Sequence, residues 1–320
     1  MKFEEFANEI INRIEQKLGL EVQSKEVLKN NGLKLTGACV VSPDSNMSPT
    51  IYLNGFYEEY CLGRDMNMIV ENIINGYKNS TSTIDFHPSR LMEYEKAKDR
   101  IVFKLVNKER NKELLKEVPY IEFLDLVVIF YYLVDDSHQG LASIVIRNEM
   151  MDEWGITIED LNNMAQENAP KLMPARIEKM EDIIRRILFD QEIGKRSEPI
   201  NDAEKNIIEA TINEEMEFQM NGHMETRMYV IGNRKGVFGA ASLLYQNLLK
   251  EFATKIQDDF YILPSSVHET IAIPAACISD GMDLKYMVED VNNTQVEPEE
   301  VLSNTVYYFE SKQNKLIIMN

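Results

Sequence analysis

Apolar residues recur at helical spacing from Phe3 through Phe6, Ala7, Ile10, Ile11 and Ile14 to Leu18, so the chain opens with an amphipathic helix over residues 2–18. Gly19 ends it, because glycine enters the left-handed conformation of a helix terminus without steric penalty. The hydrophobic period then shortens. Val22–Leu28, Leu33–Val41 and Thr50–Leu53 read as strands, and Asn30-Asn31-Gly32 and Pro43-Asp44-Ser45-Asn46 supply the turns of a small antiparallel meander. A second helix is predicted over 65–77, with Ile69, Val70, Ile73, Ile74 and Tyr77 on one side, ending in the polar stretch Lys78-Asn79-Ser80-Thr81-Ser82.

Ile101–Val106 is strand-like, and the run 123–134, rich in Val, Ile, Phe and Tyr and broken by Asp125, reads as a buried strand. It is shorter than the roughly 20 apolar residues that a membrane-spanning helix needs. Across Asp135-Asp136-Ser137-His138-Gln139-Gly140 it forms a hairpin with Leu141–Ile146. Thr157, with Asp160 three positions on, predicts the start of a helix over 157–167 that buries Ile158, Leu161 and Met164. Helical stripes follow at 178–189 and 203–220. The Gly194-Lys195-Arg196-Ser197-Glu198-Pro199 stretch between them is the best linker, giving an N-terminal α+β domain over 1–190 and a C-terminal one over 200–320, or one continuous domain.

Beyond the linker, Arg227–Ile231 is a strand, Gly232–Gly236 a turn, and Ala240–Tyr245 runs back into a helix carrying Leu248, Leu249, Phe252 and Ile256. This second hairpin-then-helix aligns with the first at Gly140 and Gly239, Ala142 and Ala241, Ser143 and Ser242, and Asn148 and Asn247: a weak duplication of a β-β-α unit, or coincidence. Strands Phe260–Leu263 and Thr270–Ile273, a helix near 283–291, a helical turn opened by Pro298, and a hairpin of Thr305–Glu310 with Lys315–Met319 complete the chain. The predicted class is α+β, antiparallel hairpins and a meander packed with amphipathic helices, because hairpin loops recur and regular strand-helix-strand alternation does not.

Composition narrows the functional classes. With 34 basic against 53 acidic residues the net charge is −19, which opposes general nucleic-acid binding unless the cations gather on one face, and no Lys/Arg cluster interleaved with aromatics is visible. Cys39, Cys61 and Cys277 are odd in number and share no ligand spacing, so free thiols in a reducing cytosol are expected. The acidic start Met1-Lys2-Phe3-Glu4-Glu5-Phe6 is no export signal, and the expected location is cytoplasmic, with no membrane association.

Several segments together carry a resemblance. They are Ser48 to Leu53 with Tyr57-Glu58-Glu59-Tyr60, Pro119 to Asp125, Tyr261 to Glu269, and Met287 to Val296 with Leu302-Ser303 and Val306-Tyr307-Tyr308. In these the chain resembles an uncharacterised domain-of-unknown-function family that occurs in many divergent copies in gut clostridia and their relatives, and the likeness spans residues 30–310. The resemblance brings no activity, substrate or partner. It implies a histidine within the segment matched by Asn148–Gly155, where this chain has methionine, so no such histidine is available here to pair with His268.

The most suggestive chemistry lies in Ser265-Ser266-Val267-His268-Glu269. Hydroxyl, imidazole and carboxylate are the groups of nucleophilic hydrolysis, which makes Ser266, His268 and Glu269 catalytic candidates and Ser265, Asn292 and Thr294 ligand-binding candidates. The crowding argues the other way. In a strand Ser266 and His268 share a face while Glu269 points opposite, no G-x-S-x-G elbow is present, and a turn stabilised by serine hydroxyls explains the same letters. The four histidines, His87, His138, His223 and His268, lack metal-ligand spacing, so neither a metal nor a cofactor is expected. Adjacent acids such as Glu299-Glu300 read as solvated faces, and the Gly232–Gly239 loop matches no phosphate-binding motif. The leading expectation is therefore a non-enzymatic binding or interaction protein with a protein or small-molecule partner. A small-molecule hydrolase using the Ser-Ser-Val-His-Glu segment, and a regulator or defence component of a mobile element, are the alternatives.

Overall fold

Helix α1 spans Phe3–Leu18 and buries Phe6, Ala7, Ile10, Ile11 and Ile14, the stripe that its periodicity predicts, and Gly19 closes it at φ 66°. The computed structural model to which this helix belongs describes residues 1–41, 50–81, 91, 93–135, 142–195, 201–220, 227–278 and 283–319. Strands β1 (Val22–Leu28), β2 (Lys34–Val40) and β3 (Thr50–Tyr52) form the antiparallel meander in that order. Its first turn places Asn31 in the left-handed region at φ 59°, where asparagine is among the few tolerated side chains. The second turn, Pro43 to Asn46, lies outside the described residues. Helices α2 (Asn54–Cys61) and α3 (Met66–Thr81) follow, and Ile69, Val70, Ile73 and Ile74 of α3 join the α1 stripe, Val22, Ala38, Val40 and Leu53 in one core.

Helix α3 departs from the prediction by running through Lys78-Asn79-Ser80-Thr81. Polar residues that are weak helix formers still extend a helix when no Gly or Pro breaks it, and Lys78 suits the negative end of the helix dipole.

The next elements are helix α4 (Tyr94–Ala97), strands β4 (Ile101–Asn107), β5 (Tyr120–Phe123), β6 (Leu126–Asp135) and β7 (Ala142–Val145), and helices α5 (Asn148–Trp154) and α6 (Ile158–Leu172). The predicted single strand over 123–134 is two strands. Leu124 turns the chain at φ 56°, and Asp125 accepts hydrogen bonds that fix the turn, a device invisible in a run of β-forming residues. The hairpin of β6 with β7 is present, Tyr131 facing Val145, and its loop residues Asp136–Gly140 lie outside the described residues. At the start of α6 the predicted cap is reciprocal: Asp160 N–H donates to the Thr157 hydroxyl at 3.2 Å, and Thr157 N–H to the Asp160 carboxylate at 2.9 Å. Hydrogen bonds from the Thr157 side chain and backbone hold that carboxyl below its usual range.

A six-stranded antiparallel sheet is built from β8 (Ala175–Lys179), β9 (Tyr229–Asn233), β10 (Phe260–Leu263), β11 (Thr270–Pro274), β12 (Tyr307–Glu310) and β13 (Lys315–Ile318), in the order β13-β12-β10-β11-β9-β8. Strand β8 has no counterpart in the hydrophobic pattern: it is an edge strand of mostly half-buried residues, in which only Ile177 is a large apolar residue. Helices α7 (Met180–Gly194) and α8 (Asp202–Met220) share a small cluster of Ile208, Ile212 and Met216 with Leu188 and Phe189, while Arg196–Pro199 of the predicted linker lie outside the described residues. Helices α9 (Leu248–Ile256) and α10 (Leu284–Thr294) complete the set.

Ala240–Tyr245 does not run back as a strand. Gly239–Leu244 is a 3-10 helix, so the second β-β-α copy is absent in that form; the stretch is buried and leaves β9 to pair with β8 and β11 instead. The chain divides into two units, one of Met1–Val102, Lys108–Tyr120 and Ile129–Ala165, the other of Phe103–Asn107, Ile121–Val128 and Gln166–Asn320. Helices and antiparallel sheets in both make this an α+β protein, and no helix among the described residues is long and apolar enough to cross a membrane.

Candidate functional site

The connection from β10 to β11, Pro264 to Glu269, is an irregular bend in the second unit that is pinned on both sides. On one side Val267 N–H donates to the Glu300 carbonyl at 2.8 Å, Leu302 N–H to Ser265 at 2.9 Å and Ser303 N–H to Pro264 at 2.9 Å. On the other, Ala240 N–H donates to the Val267 carbonyl at 3.3 Å. A Cβ on Gly239 would lie 2.3 Å from the His268 carbonyl oxygen, so only glycine allows the 232–239 loop to approach this closely.

His268 occupies the centre of the bend. Phe238 N–H donates to its Nδ1 at 3.2 Å, which requires a lone pair there, so the proton of the neutral ring sits on Nε2 and is donated to Glu300 Oε1 at 3.1 Å. Phe238 adopts φ 58°, a strained conformation for a bulky residue, and its ring stacks on the imidazole at 6.2 Å and 12°. The ammonium of the buried Lys104 lies 4.8 Å over the other partner in this row, the Phe238 ring.

The sequence candidates separate on this framework. Ser265 and Ser266 are buried, and the Ser266 hydroxyl accepts the His268 backbone N–H at 3.1 Å as a serine turn does. Among the described residues no hydrogen bond joins that hydroxyl to the imidazole, and Glu269 is exposed with no partner. The carboxylate that reaches His268 is Glu300, a residue that looked like part of a solvated acidic pair. Thr294 is exposed and its hydroxyl donates to the Asp290 carbonyl within α10. Asn292 is buried; its Nδ2 donates to the Ser303 carbonyl at 2.9 Å and to Asn304 Oδ1 at 2.7 Å, while its Oδ1 has no partner among the described residues.

Several of the quoted sequence segments meet at residues 300–307. The Asp125 carboxylate accepts from the Ser303 hydroxyl at 2.6 Å and from the Tyr307 phenol, and Asn107 Nδ2 donates to the Leu302 carbonyl at 2.9 Å. Burial, and then the neighbouring Asp125 charge, push the Tyr307 phenol far above its usual range. Sequence reasoning missed Phe238, Glu300 and the Asp125–Ser303–Tyr307 contacts because the partners lie far apart in the chain.

Two of the clefts in this unit combine room for a small ligand with walls of contrasting character. One, of about 620 Å³, has apolar walls from Tyr261, Leu284, Val306 and Ile318 and a polar rim that includes Asn304, the residue tied to Asn292. The other, of about 690 Å³ near the start of α7, mixes apolar walls with charged side chains of both signs. Among the described residues no group of three or more His, Cys, Asp or Glu side chains is placed to hold a metal; His87, His138 and His223 lie outside them. A model of a family of unknown function, DUF5688, matches residues 3–311. No curated protein and no solved structure matches the chain.

Proposed function

The chain belongs to the DUF5688 family of unknown function, and on that premise we propose that it is a non-catalytic binding protein whose ligand occupies the apolar cleft lined by the start of α10, strands β10 and β13 and residues 304–306 before β12. The cleft itself carries this reading: about 620 Å³, with apolar walls and a few polar groups at the rim, is the usual form of a small-molecule site. Beside it, Asn292 Oδ1 is a buried acceptor without a partner among the described residues, and Asn292 Nδ2 is hydrogen-bonded to Asn304, a residue of the cleft lining. The chemistry around His268 supports binding over hydrolysis, because both ring nitrogens are engaged and the Ser266 hydroxyl is used by the backbone. We place the protein in the cytosol, where free thiols such as Cys39, Cys61 and Cys277 persist.

The ligand is an amphipathic small molecule with an apolar body and at least one amide-complementary polar group. Native mass spectrometry of the untagged protein from its own host is expected to show a stoichiometric added mass below about 1 kDa. Thr305→Trp, which fills the cleft from its rim, is expected to remove that mass. A bare chain, or an added mass that survives Thr305→Trp, overturns the reading.

A protein partner is the second reading, favoured by Ile184 and Ile187 on α7 and Ile207 on α8, which are 42%, 49% and 66% exposed. Its sign would be a second protein in fixed ratio that Ile187→Lys releases.

A further inference from the structure

The charged cleft gathers cations on an otherwise acidic protein, together with the carboxylates of Glu178, Asp182 and Asp258. The chain carries a net charge of −19, yet the cations Lys179, Arg227 and Lys255 line this one opening, each from a different segment, and none has an ion pair among the described residues. The carboxylates beside them are already engaged. Glu178 is held by Arg186 at 3.0 Å and Arg176 at 3.3 Å, Asp182 by Arg185 at 2.9 Å, and Asp258 accepts the Ala276 backbone N–H at 2.8 Å. Lys255, in the last turn of α9, also offsets that helix's dipole. Among the described residues neither Lys179 nor Arg227 has an ion pair or a place in the last turn of a helix.

The opening also receives a helix start. Lys179 is the N-cap of α7, a helix whose first turn carries Glu181 and Asp182 and whose Met180 N–H is already given to the Met228 carbonyl at 2.9 Å, so the side-chain cations and not the helix end supply the positive charge here. Tyr229 lines the cleft and packs edge-to-face on Phe252 at 5.0 Å, which gives one aromatic wall. Three cations from separate segments and a volume of about 690 Å³ suit a compact polyanion, with the Arg227 guanidinium fitted to bidentate contact with phosphate oxygens.

We propose that this cleft binds a small phosphate ester, its phosphoryl oxygens held by Lys179, Arg227 and Lys255 at the start of α7 and its organic part resting on Tyr229. The site is separate from the apolar cleft and does not depend on the reading given for it. A polymer of nucleotides fits poorly, because the remaining surface repels it.

Calorimetric titration of the full chain with inorganic pyrophosphate and with adenosine diphosphate, against sodium chloride at equal ionic strength, tests the proposal. Saturable binding of both probes is expected, tighter for the nucleotide if the aromatic wall contributes. In the exposed-residue variant Arg227→Ala/Lys255→Ala, affinity is expected to fall about tenfold or more while the unliganded melting temperature stays put. Pyrophosphate is also expected to slow iodoacetamide alkylation of Cys277, which lines the same cleft. Binding no stronger than the salt blank overturns the proposal, and so does binding unchanged in the double variant. Thr305→Trp leaves this binding intact, so the two sites fail independently.

Discussion

Each of the two units is stabilised by its own kind of interaction. In the first unit, α1, α3 and the β1–β3 meander meet through side chains that are almost all apolar, Phe6, Ile10, Ile14, Ile69, Val70 and Ile73 among them. In the second, the bend at His268 and the stretch 300–307 are fixed by directional bonds: imidazole to Phe238 and Glu300, Asp125 to Ser303 and Tyr307, Asn292 to Ser303 and Asn304. An apolar core tolerates a lost methyl group in proportion to the cavity left, whereas a directional clasp fails when one atom is wrong. The proposed function lies in the second region for that reason: polar groups held in fixed directions around open clefts are what recognition needs.

The largest expected effect comes from Gly239→Ala. The added Cβ meets the His268 carbonyl at 2.3 Å and the Asn233 nitrogen at 2.7 Å, both backbone atoms, so the loop must leave the bend. A loss of about 4 kcal/mol is expected, with amide exchange of 229–245 and 260–274 rising well before that of α1. Ile10→Ala is the counterpart in the apolar region. It is expected to destabilise by about 2–3 kcal/mol, with exchange rising first in α1 and α3, and a Gly239→Ala effect smaller than this one would dissolve the contrast.

The same contrast explains what the sequence revealed. Helix α1, the meander, α10 and the closing hairpin of β12 with β13 were legible because each rests on local periodicity and nearby turn residues. The split at Leu124 and the 3-10 helix at Gly239–Leu244 were not, since both depend on bonds to residues distant in the chain. At the candidate site the bend at His268 was found from its composition, but its carboxylate was sought at Glu269, the sequence neighbour, when Glu300 supplies it. Spacing reveals what shares a face of one element and is silent on what another segment brings.

Ser303→Ala sharpens the comparison at intermediate size. It removes one donor to Asp125 and the acceptor of Thr305 N–H, and about 1–3 kcal/mol is expected from chemical denaturation. Alkali probes the same place. Because burial raises the Tyr307 phenol above its ordinary range, the folded state keeps it neutral while the unfolded chain ionises near about pH 10. That stabilisation is complete below about pH 10 and falls as pH rises further, so alkaline melts of Tyr307→Phe are expected to depend less steeply on pH than those of the parent.

The smallest effects separate the two glutamates, and they bear most directly on how the site is understood. Glu300→Ala leaves the Nε2–H of His268 without its acceptor, but side chains 29% and 37% exposed allow water to replace much of the loss, so about 1 kcal/mol or less is expected. Glu269→Ala removes a side chain with no partner among the described residues and should stay within about 0.5 kcal/mol. Chemical denaturation of the two variants gives the stabilities, and the His268 ring resonances in NMR give the reason: they should move in Glu300→Ala and stay in place in Glu269→Ala. If the order were reversed, the neighbouring carboxylate would be the true partner of the imidazole, and the Ser-His-Glu segment would regain the convergence that hydrolysis requires. If it holds, the imidazole is a fastener between three distant segments, and the search for a ligand belongs in the clefts beside it.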